Sequence, residues 1–183
     1  SGGSATESGS QSVTLTIEEN ESAPTVTLST SATSIDENSG SVLTLTATLS
    51  VATTADVTVT IGTSGTATEG TDYTDGSGNI DDLVITAGNT TETISFKPTD
   101  DSVYEGDETA TISIDSVSGG EASENGTQAV TITINENESA PTVTLSVSAS
   151  SIAENSGSTL TITATSSIVA HENITVGIST SGT

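Results

Sequence analysis

The stretch Leu43-Thr44-Leu45-Thr46-Ala47-Thr48-Leu49 alternates apolar and polar side chains along seven residues. Successive side chains of an extended strand point to opposite faces, so this alternation predicts a strand that buries one face. Turn-forming clusters separate similar runs, and no window has the apolar periodicity of a helix. About seven such strands predict an all-β fold, an antiparallel β-sandwich of immunoglobulin-like type. The other runs are Val26–Leu28, Val57–Ile61, Ile94–Phe96, Ala110–Ile114 and Val130–Ile134.

The chain also repeats itself. Asn20-Glu21-Ser22-Ala23-Pro24 returns at residues 137–141, an offset of 137 − 20 = 117 residues, and 32 of the 47 positions from 20 to 66 are identical in 137–183. This period has the usual size of a domain and is too long for one unit of a solenoid. We therefore predict a tandem array in which residues 1–23 end one repeat, residues 24–140 form a complete repeat and residues 141–183 begin the next.

Composition restricts the partners. The 183 residues include 25 Asp and Glu against one Lys or Arg, for a net charge of −24, and no Cys. Because phosphate groups are bound by Lys and Arg, this charge argues against nucleic acid and anionic membrane surfaces and favours cations. No run approaches the roughly 20 apolar residues of a membrane span, so direct membrane insertion is not expected. Without disulfides, a core with few aromatic side chains needs another source of stability.

One segment concentrates the acidic side chains. Asp100-Asp101-Ser102-Val103-Tyr104-Glu105-Gly106-Asp107-Glu108 carries five acids between two predicted strands. Carboxylates so close repel each other unless a cation or a proton lies among them. Two interpretations remain open: a metal site, or solvated loops on an acidic surface of the kind that isolated acids usually represent. For Asp75, Asp81 and Asp82, outside this segment, we favour the solvated interpretation.

The repeat resembles the Calx-β domain, a calcium-binding β-sandwich found in sodium/calcium exchangers and in tandem in large bacterial surface proteins. The resemblance rests on four segments in order: Glu37-Asn38-Ser39-Gly40, residues 65–73 (Gly-Thr-Ala-Thr-Glu-Gly-Thr-Asp-Tyr), residues 100–108 and residues 130–137. It implies a calcium site at one end of the sandwich. The positions that resemble the family's ligands are Glu37, Asp72, Asp100, Asp101, Glu105, Glu108, Asn135, Glu136 and Asn137.

The sequence departs from the family pattern at two places. Asn135-Glu136-Asn137 stands where calcium-sensing members carry three acids, and Ser102 stands where they carry a further Asp. Fewer charges imply weaker binding or fewer ions. A hard cation such as Ca²⁺ takes six to eight oxygen ligands, which loops from several strand ends supply only together.

Three functions follow as alternatives. The first is a calcium-binding repeat in the stalk of a long extracellular or cell-surface protein, in which Ca²⁺ stabilises each sandwich and stiffens the linker to the neighbouring repeat. The second is a calcium sensor that regulates an attached partner. The third is a metal-free spacer that forms filaments with other copies of itself, because residues 11–17 read as a strand without its domain. We expect no enzymatic activity, because the sequence offers no nucleophile motif, phosphate loop or aromatic sugar platform.

Overall fold

The structure is a computed structural model that describes residues 2–6, 8–18 and 20–182. Ser1 and Thr183, the first and last residues of the predicted array, lie outside the described residues, as do Glu7 and Glu19. A 3-10 helix spans Glu37–Ser39. The strands are β1 Thr25–Thr30, β2 Ser34–Asp36, β3 Leu43–Leu49, β4 Val57–Gly65, β5 Tyr73–Thr74, β6 Leu83–Ile85, β7 Thr91–Pro98, β8 Val103–Tyr104, β9 Glu108–Ser118, β10 Ser123–Glu124, β11 Ala129–Asn135, β12 Val143–Val147, β13 Ile162–Ser166 and β14 Val169–Ala170.

Two five-stranded sheets form the complete repeat, with the strand orders β10-β1-β3-β7-β5 and β2-β11-β9-β4-β6. The long neighbouring strands of both sheets are antiparallel. All six alternating runs of the sequence lie within strands. The prediction of an all-β, antiparallel sandwich is confirmed.

The core lies between the two sheets and consists mainly of aliphatic side chains. In β3 the four apolar side chains Leu43, Leu45, Ala47 and Leu49 are buried, whereas the threonines between them are not, as the alternation predicts. Two of the three aromatic rings, Tyr73 and Phe96, are fully buried and stacked with their centroids 4.7 Å apart. This pair closes the core near one end of the sandwich, because Tyr73 pairs with Pro98 at the end of β7.

Topology gives the sandwich two chemically different ends. β11 leads into the segment Glu136–Glu138, which lies with the loops that follow β2, β4 and β7; we call this the acidic end. The opposite end carries the residues that precede β1, the β3–β4 connection and the turn after β9; we call it the linker end. A chain of such repeats therefore leaves each repeat at its acidic end and enters the next at the linker end.

The partial repeat after residue 141 reproduces the first hairpin of the complete one. β12 pairs with β13 from Val143↔Ser166 to Val147↔Ile162, the same register as Val26↔Leu49 to Thr30↔Leu45 at an offset of 117 residues. The flanking hydrogen bonds agree as well, since Ser167 N–H donates to Thr142 O as Ser50 N–H donates to Thr25 O, both at 2.9 Å. The sequence repeat is thus also a structural one over this hairpin.

Residues 11–17 are not a strand in the structure, contrary to the prediction. Val13, Leu15 and Ile17 are at least 84% exposed. Their equivalents in β11 pair with β9, and none of the described residues forms a ladder with residues 11–17. A lone strand has no ladder to hold it, which explains the difference.

None of the helical segments among the described residues has the length and hydropathy that crossing a membrane requires.

At Gly65, the last residue of β4, the backbone of β9 comes very close. We expect this close contact to matter for stability. The φ of Gly65 is +129°, and a Cβ atom there would lie 2.0 Å from the carbonyl oxygen of Thr109. We expect Gly65→Ala to lower the free energy of unfolding by at least about 2 kcal/mol in urea denaturation, because β4 must move away from β9.

Gly76→Ala is the matched control. Gly76 also has a positive φ, +102°, but no atom lies within 4 Å of the position that a Cβ atom would take there. The control should cost about 1 kcal/mol from backbone strain alone. Equal losses in the two variants would show that the contact with Thr109 is unimportant.

Candidate metal centre

Two clusters of three carboxylates each lie at the acidic end. Within each cluster, one oxygen from every carboxylate lies within 4.8 Å of the others. The chain segments come from distant parts of the sequence, as the antiparallel topology requires. The first cluster contains Glu37, Glu136 and Glu138, and the second contains Asp72, Glu105 and Glu108.

Glu37 is the most buried member of the first cluster. It begins the 3-10 helix after β2, and its side chain is only 8% exposed. Its Oε1 accepts the backbone N–H of Asp101 at 3.2 Å. Burial raises the pKa of Glu37 to about 7; that hydrogen bond opposes the rise, and the charges of Glu136 and Glu138 add to it. Protein groups therefore compensate the ionised form of Glu37 only in part.

The second cluster is similar. Asp72 is 9% exposed, and its Oδ2 accepts the backbone N–H of Thr68 at 2.6 Å in the turn before β5. Burial raises the pKa of Glu108 to about 7, with further contributions from the charges of Asp72 and Glu105. The pKa of Glu105 is raised by the same causes, burial first and then the charge of Asp72. Like charges are thus concentrated at both clusters.

Glu136 connects the two clusters. Its Oε2 accepts the backbone N–H groups of Glu105 and Gly106 at 2.6 and 2.9 Å, and its Oε1 accepts those of Asn137 and Glu138, both at 2.9 Å. Burial alone would raise the pKa of Glu136, but hydrogen bonds led by those from Glu138 and Glu105 outweigh it and hold the pKa at about 2. Glu136 is therefore ionised and fixed in place between both groups of acids.

Glu138 was not among the residues predicted from the sequence. Its Oε2 is buried and receives no hydrogen bond from any described residue when the carboxylates are ionised. Its pKa is raised, first by hydrogen bonding with Glu136, which requires a proton on one of the two carboxyls. A proton or a cation satisfies an oxygen in this position. The signal in the sequence was the alternation Glu136-Asn137-Glu138, which places both acids after the same strand end.

The structure places five of the nine predicted ligands in the clusters and four beside them. Asp100 is exposed, and Oδ1 of Asp101 accepts the N–H of Val103 at 2.6 Å. The Asn135 amide donates to Asp36 at 2.7 Å, and the Asn137 amide donates to Glu138 Oε1 at 3.0 Å. The hydrogen bonds of Asp101, Asn135 and Asn137 stabilise the loops that carry the clusters.

The donor set fits a hard divalent cation. All six clustered side chains offer carboxylate oxygens, which suit Ca²⁺ and Mg²⁺, and a soft metal would favour thiolate. Three carboxylates per cluster leave coordination positions for backbone carbonyls and water, which Ca²⁺ accepts in flexible geometry. The buried, unsatisfied oxygen of Glu138 and the two carboxyls with a pKa of about 7 are the features that a bound cation would compensate.

Comparisons with solved structures find Calx domains among the similar chains. A crystal structure of the apo form of the Calx CBD1 domain matches with a TM-score of 0.50 and 21% identity, covering 62% of this chain and 99% of that one. A crystal structure of CBD12 from CALX1.2 matches with a TM-score of 0.47 and 23% identity, covering 56% of this chain and 41% of that one. No curated protein sequence matches the chain.

The family model described as Calx-beta domain matches residues 19–138, which include the whole sandwich and both carboxylate clusters. This range covers well over half of the 183 residues. The chain belongs to the Calx-beta domain family.

Proposed function

We propose that the complete repeat binds Ca²⁺ at its acidic end and that the bound ion stabilises the sandwich. The observation that carries this proposal is the pair of adjoining carboxylate clusters, in which Glu138 Oε2 is buried without a hydrogen-bond donor. Glu37, Glu136 and Glu138 would hold one ion, and Asp72, Glu105 and Glu108 another. Membership of the Calx-beta family supports calcium over other hard cations.

The role of the ion is structural in this proposal. Glu138 belongs both to a cluster and to the segment that leads from β11 into the next repeat. A cation bound there fixes the start of the linker, so an array of repeats becomes stiffer when calcium is present. We propose that the repeats form a stalk of an extracellular or cell-surface protein, with no catalytic role. The 32 identities among the 47 aligned positions of residues 20–66 and 137–183 support an array.

Thermal unfolding of the full chain tests the proposal. With calcium at a hundred times its Kd, binding adds about 2.7 kcal/mol to the folded state, so the midpoint should rise by several degrees from EDTA to Ca²⁺. Mg²⁺ should produce a smaller rise, because it demands a stricter octahedral geometry. An identical midpoint in EDTA and in Ca²⁺ would mean that the acids are solvated surface groups.

Asp72→Asn and Asp81→Asn form a matched pair for this experiment. Asp72 is buried in the second cluster, whereas Asp81 is exposed and belongs to neither cluster. Asp72→Asn should reduce the calcium-induced shift, and Asp81→Asn should leave it unchanged. A sensor would also change shape on binding, so small-angle scattering that differs between EDTA and Ca²⁺ for residues 24–140 would favour regulation over a stalk.

Self-assembly into filaments is a second candidate, favoured by the exposed side chains of Val13, Leu15 and Ile17. Their equivalents in β11, Val130, Ile132 and Ile134, pair with β9, and Ile134 pairs with β2 as well. Another copy could cover this segment by strand addition. Light scattering that gives the mass of one chain across a wide concentration range would exclude it.

A further inference from the structure

An open cavity of about 640 Å³ lies at the linker end of the complete repeat. Its walls are the segments 21–24 and 51–55 together with Gly120 and Glu121. Val51 is 48% exposed there. Hydrogen bonds already hold the 51–55 segment in its conformation. The Thr53 carbonyl accepts the N–H of Gly88 at 2.9 Å, and the Thr53 hydroxyl donates to the Ala55 carbonyl at 2.6 Å.

The other end of the repeat shows how two repeats meet. β14, in the partial repeat, pairs in parallel with β8 at the acidic end, with Val169 opposite Val103 and Ala170 opposite Tyr104. The backbone N–H of His171 donates to the carbonyl oxygen of Tyr104 at 3.0 Å. The His171 ring lies 3.1 Å from the carboxylate of Glu105. The loop 168–172 of one repeat is therefore seated on the β8 segment of the repeat before it.

The offset of 117 residues maps this contact onto the cavity. Val169, Ala170 and His171 correspond to Ala52, Thr53 and Thr54, which form one wall. The equivalence is structural, because the hairpin β12–β13 that carries the loop has the register of β1–β3.

The opposite wall, residues 21–24, is assigned to the same neighbour by this offset. Glu21 corresponds to Glu138, which belongs to a carboxylate cluster of the repeat that precedes its linker. By the same offset, we expect Glu21 to lie at the acidic end of a repeat that precedes residue 24. Both walls of the cavity are therefore expected to contact the same neighbour, a preceding copy of the repeat.

We propose that the linker-end cavity is the docking site for the β8 segment of a preceding copy of the repeat, the counterpart of Val103-Tyr104-Glu105. That segment pairs in parallel with Ala52 and Thr53 of the following repeat, and we expect it to lie against Val51, whose equivalent Ile168 precedes β14 and is partly buried. Each repeat then presents β8 at one end and a receptor for β8 at the other. The proposal rests on the tandem array of the proposed function and is independent of calcium binding.

Disulfide formation tests this docking. We would lengthen the full chain by one repeat, so that residues 24–140 occur twice in succession, with Val103→Cys in the first copy and Ala52→Cys in the second. The chain has no cysteine of its own, so no other disulfide competes. Residues opposite each other on paired strands have Cα atoms within the range of about 4.4–6.8 Å that a disulfide needs. Under mild oxidation we expect this pair to close at least about tenfold faster than an unpaired one.

Two further pairs make the result decisive. Val103→Cys with Val169→Cys in the original chain reproduces the contact already described and sets the reference rate. Val103→Cys in the first copy with Val84→Cys in the second is the unpaired control, because Val84 is exposed on β6 away from the cavity. A rate for Ala52→Cys no greater than that for Val84→Cys overturns the proposal.

The outcome is separable from the calcium proposal, since the rates are measured in EDTA and in Ca²⁺. If the disulfide between Val103→Cys and Ala52→Cys closes rapidly in a chain whose thermal midpoint is the same in EDTA and in Ca²⁺, the docking is supported and the ion site is refuted. If Ca²⁺ stabilises the chain and this disulfide does not form, the ion site is supported and the docking is refuted.

Discussion

Glu136→Gln is expected to lower the free energy of unfolding of the calcium-free chain by about 3 kcal/mol. The Glu136 carboxylate accepts four backbone N–H groups, two on each oxygen. Hydrogen bonds to a charged group contribute about 1.5–3 kcal/mol each when they are not shared. Glutamine keeps one acceptor oxygen and turns its NH₂ group toward two donors, which leaves both unsatisfied. Urea denaturation in EDTA at pH 7 measures the loss.

Glu124→Gln provides the control. One oxygen of Glu124 accepts the backbone N–H of Gln128 in the turn before β11, away from the acidic end. A single hydrogen bond remains possible to the glutamine oxygen, so this variant should lose less than about 1 kcal/mol. If Glu136→Gln loses only its response to Ca²⁺ and keeps its stability in EDTA, Glu136 is a ligand and does not organise the loops.

The same carboxylate predicts the behaviour in acid. The pKa of Glu136 in the folded chain is about 2, below its unfolded value of 4.5. Folding is therefore favoured by ionised Glu136 above pH 4.5, and this contribution is lost as the pH falls from 4.5 toward 2. In Glu136→Gln the calcium-free chain should lose less stability across that interval than the unchanged chain.

The long strands could be predicted from the sequence, and the short ones could not. β3 and β11 alternate over seven residues, which is enough for a period of two to be visible. β5, β8 and β10 have two residues each and exist because tertiary packing brings a partner alongside. β8 acquires its partner from the next repeat, which no local pattern reveals.

For the candidate site, the sequence indicated which chain segments take part, but it did not indicate where the individual side-chain atoms lie. The resemblance to the Calx-β family assigned Glu37, Asp72 and Glu105 to one calcium site at an end of the sandwich. It did not find Glu138, whose position depends on the backbone turning around the Glu136 carboxylate. It also could not show that the Asn135 amide is directed toward Asp36. Such details are set by hydrogen bonds between residues that are distant in the sequence.

Glu37→Gln is expected to change stability in opposite directions with and without calcium. Above pH 7 the calcium-free chain holds an ionised Glu37 that is buried near Glu136 and Glu138. Glutamine has nearly the same shape, and its oxygen can still accept the N–H of Asp101. Removing the charge should therefore stabilise the chain in EDTA by about 2 kcal/mol at pH 8. In Ca²⁺ the variant should be less stable than the unchanged chain, because one ligand has lost its charge.

The pH dependence separates these contributions. The pKa of Glu37 is about 7 in the folded chain against 4.5 for the free group, so the folded state binds the extra proton between these values. Stability in EDTA should therefore fall as the pH rises from 4.5 to about 7, and Glu37→Gln should flatten part of this fall. The pKa of Glu108 is raised to about 7 as well, and those of Glu105 and Glu138 are also raised, so these three groups contribute to the remainder.

Denaturation of both chains in EDTA and in Ca²⁺, from pH 4.5 to 8, is the measurement for Glu37→Gln, with Asp81→Asn as the control for loss of an exposed charge. Calcium competes with protons for the same oxygens, so its stabilising effect on the unchanged chain should grow as the pH rises. The crossing of the two curves, with the variant more stable in EDTA and less stable in Ca²⁺, occurs only if Glu37 is both desolvated and a ligand. A variant that loses the same stability in both solutions would instead show that Glu37 is a packing residue and no calcium ligand.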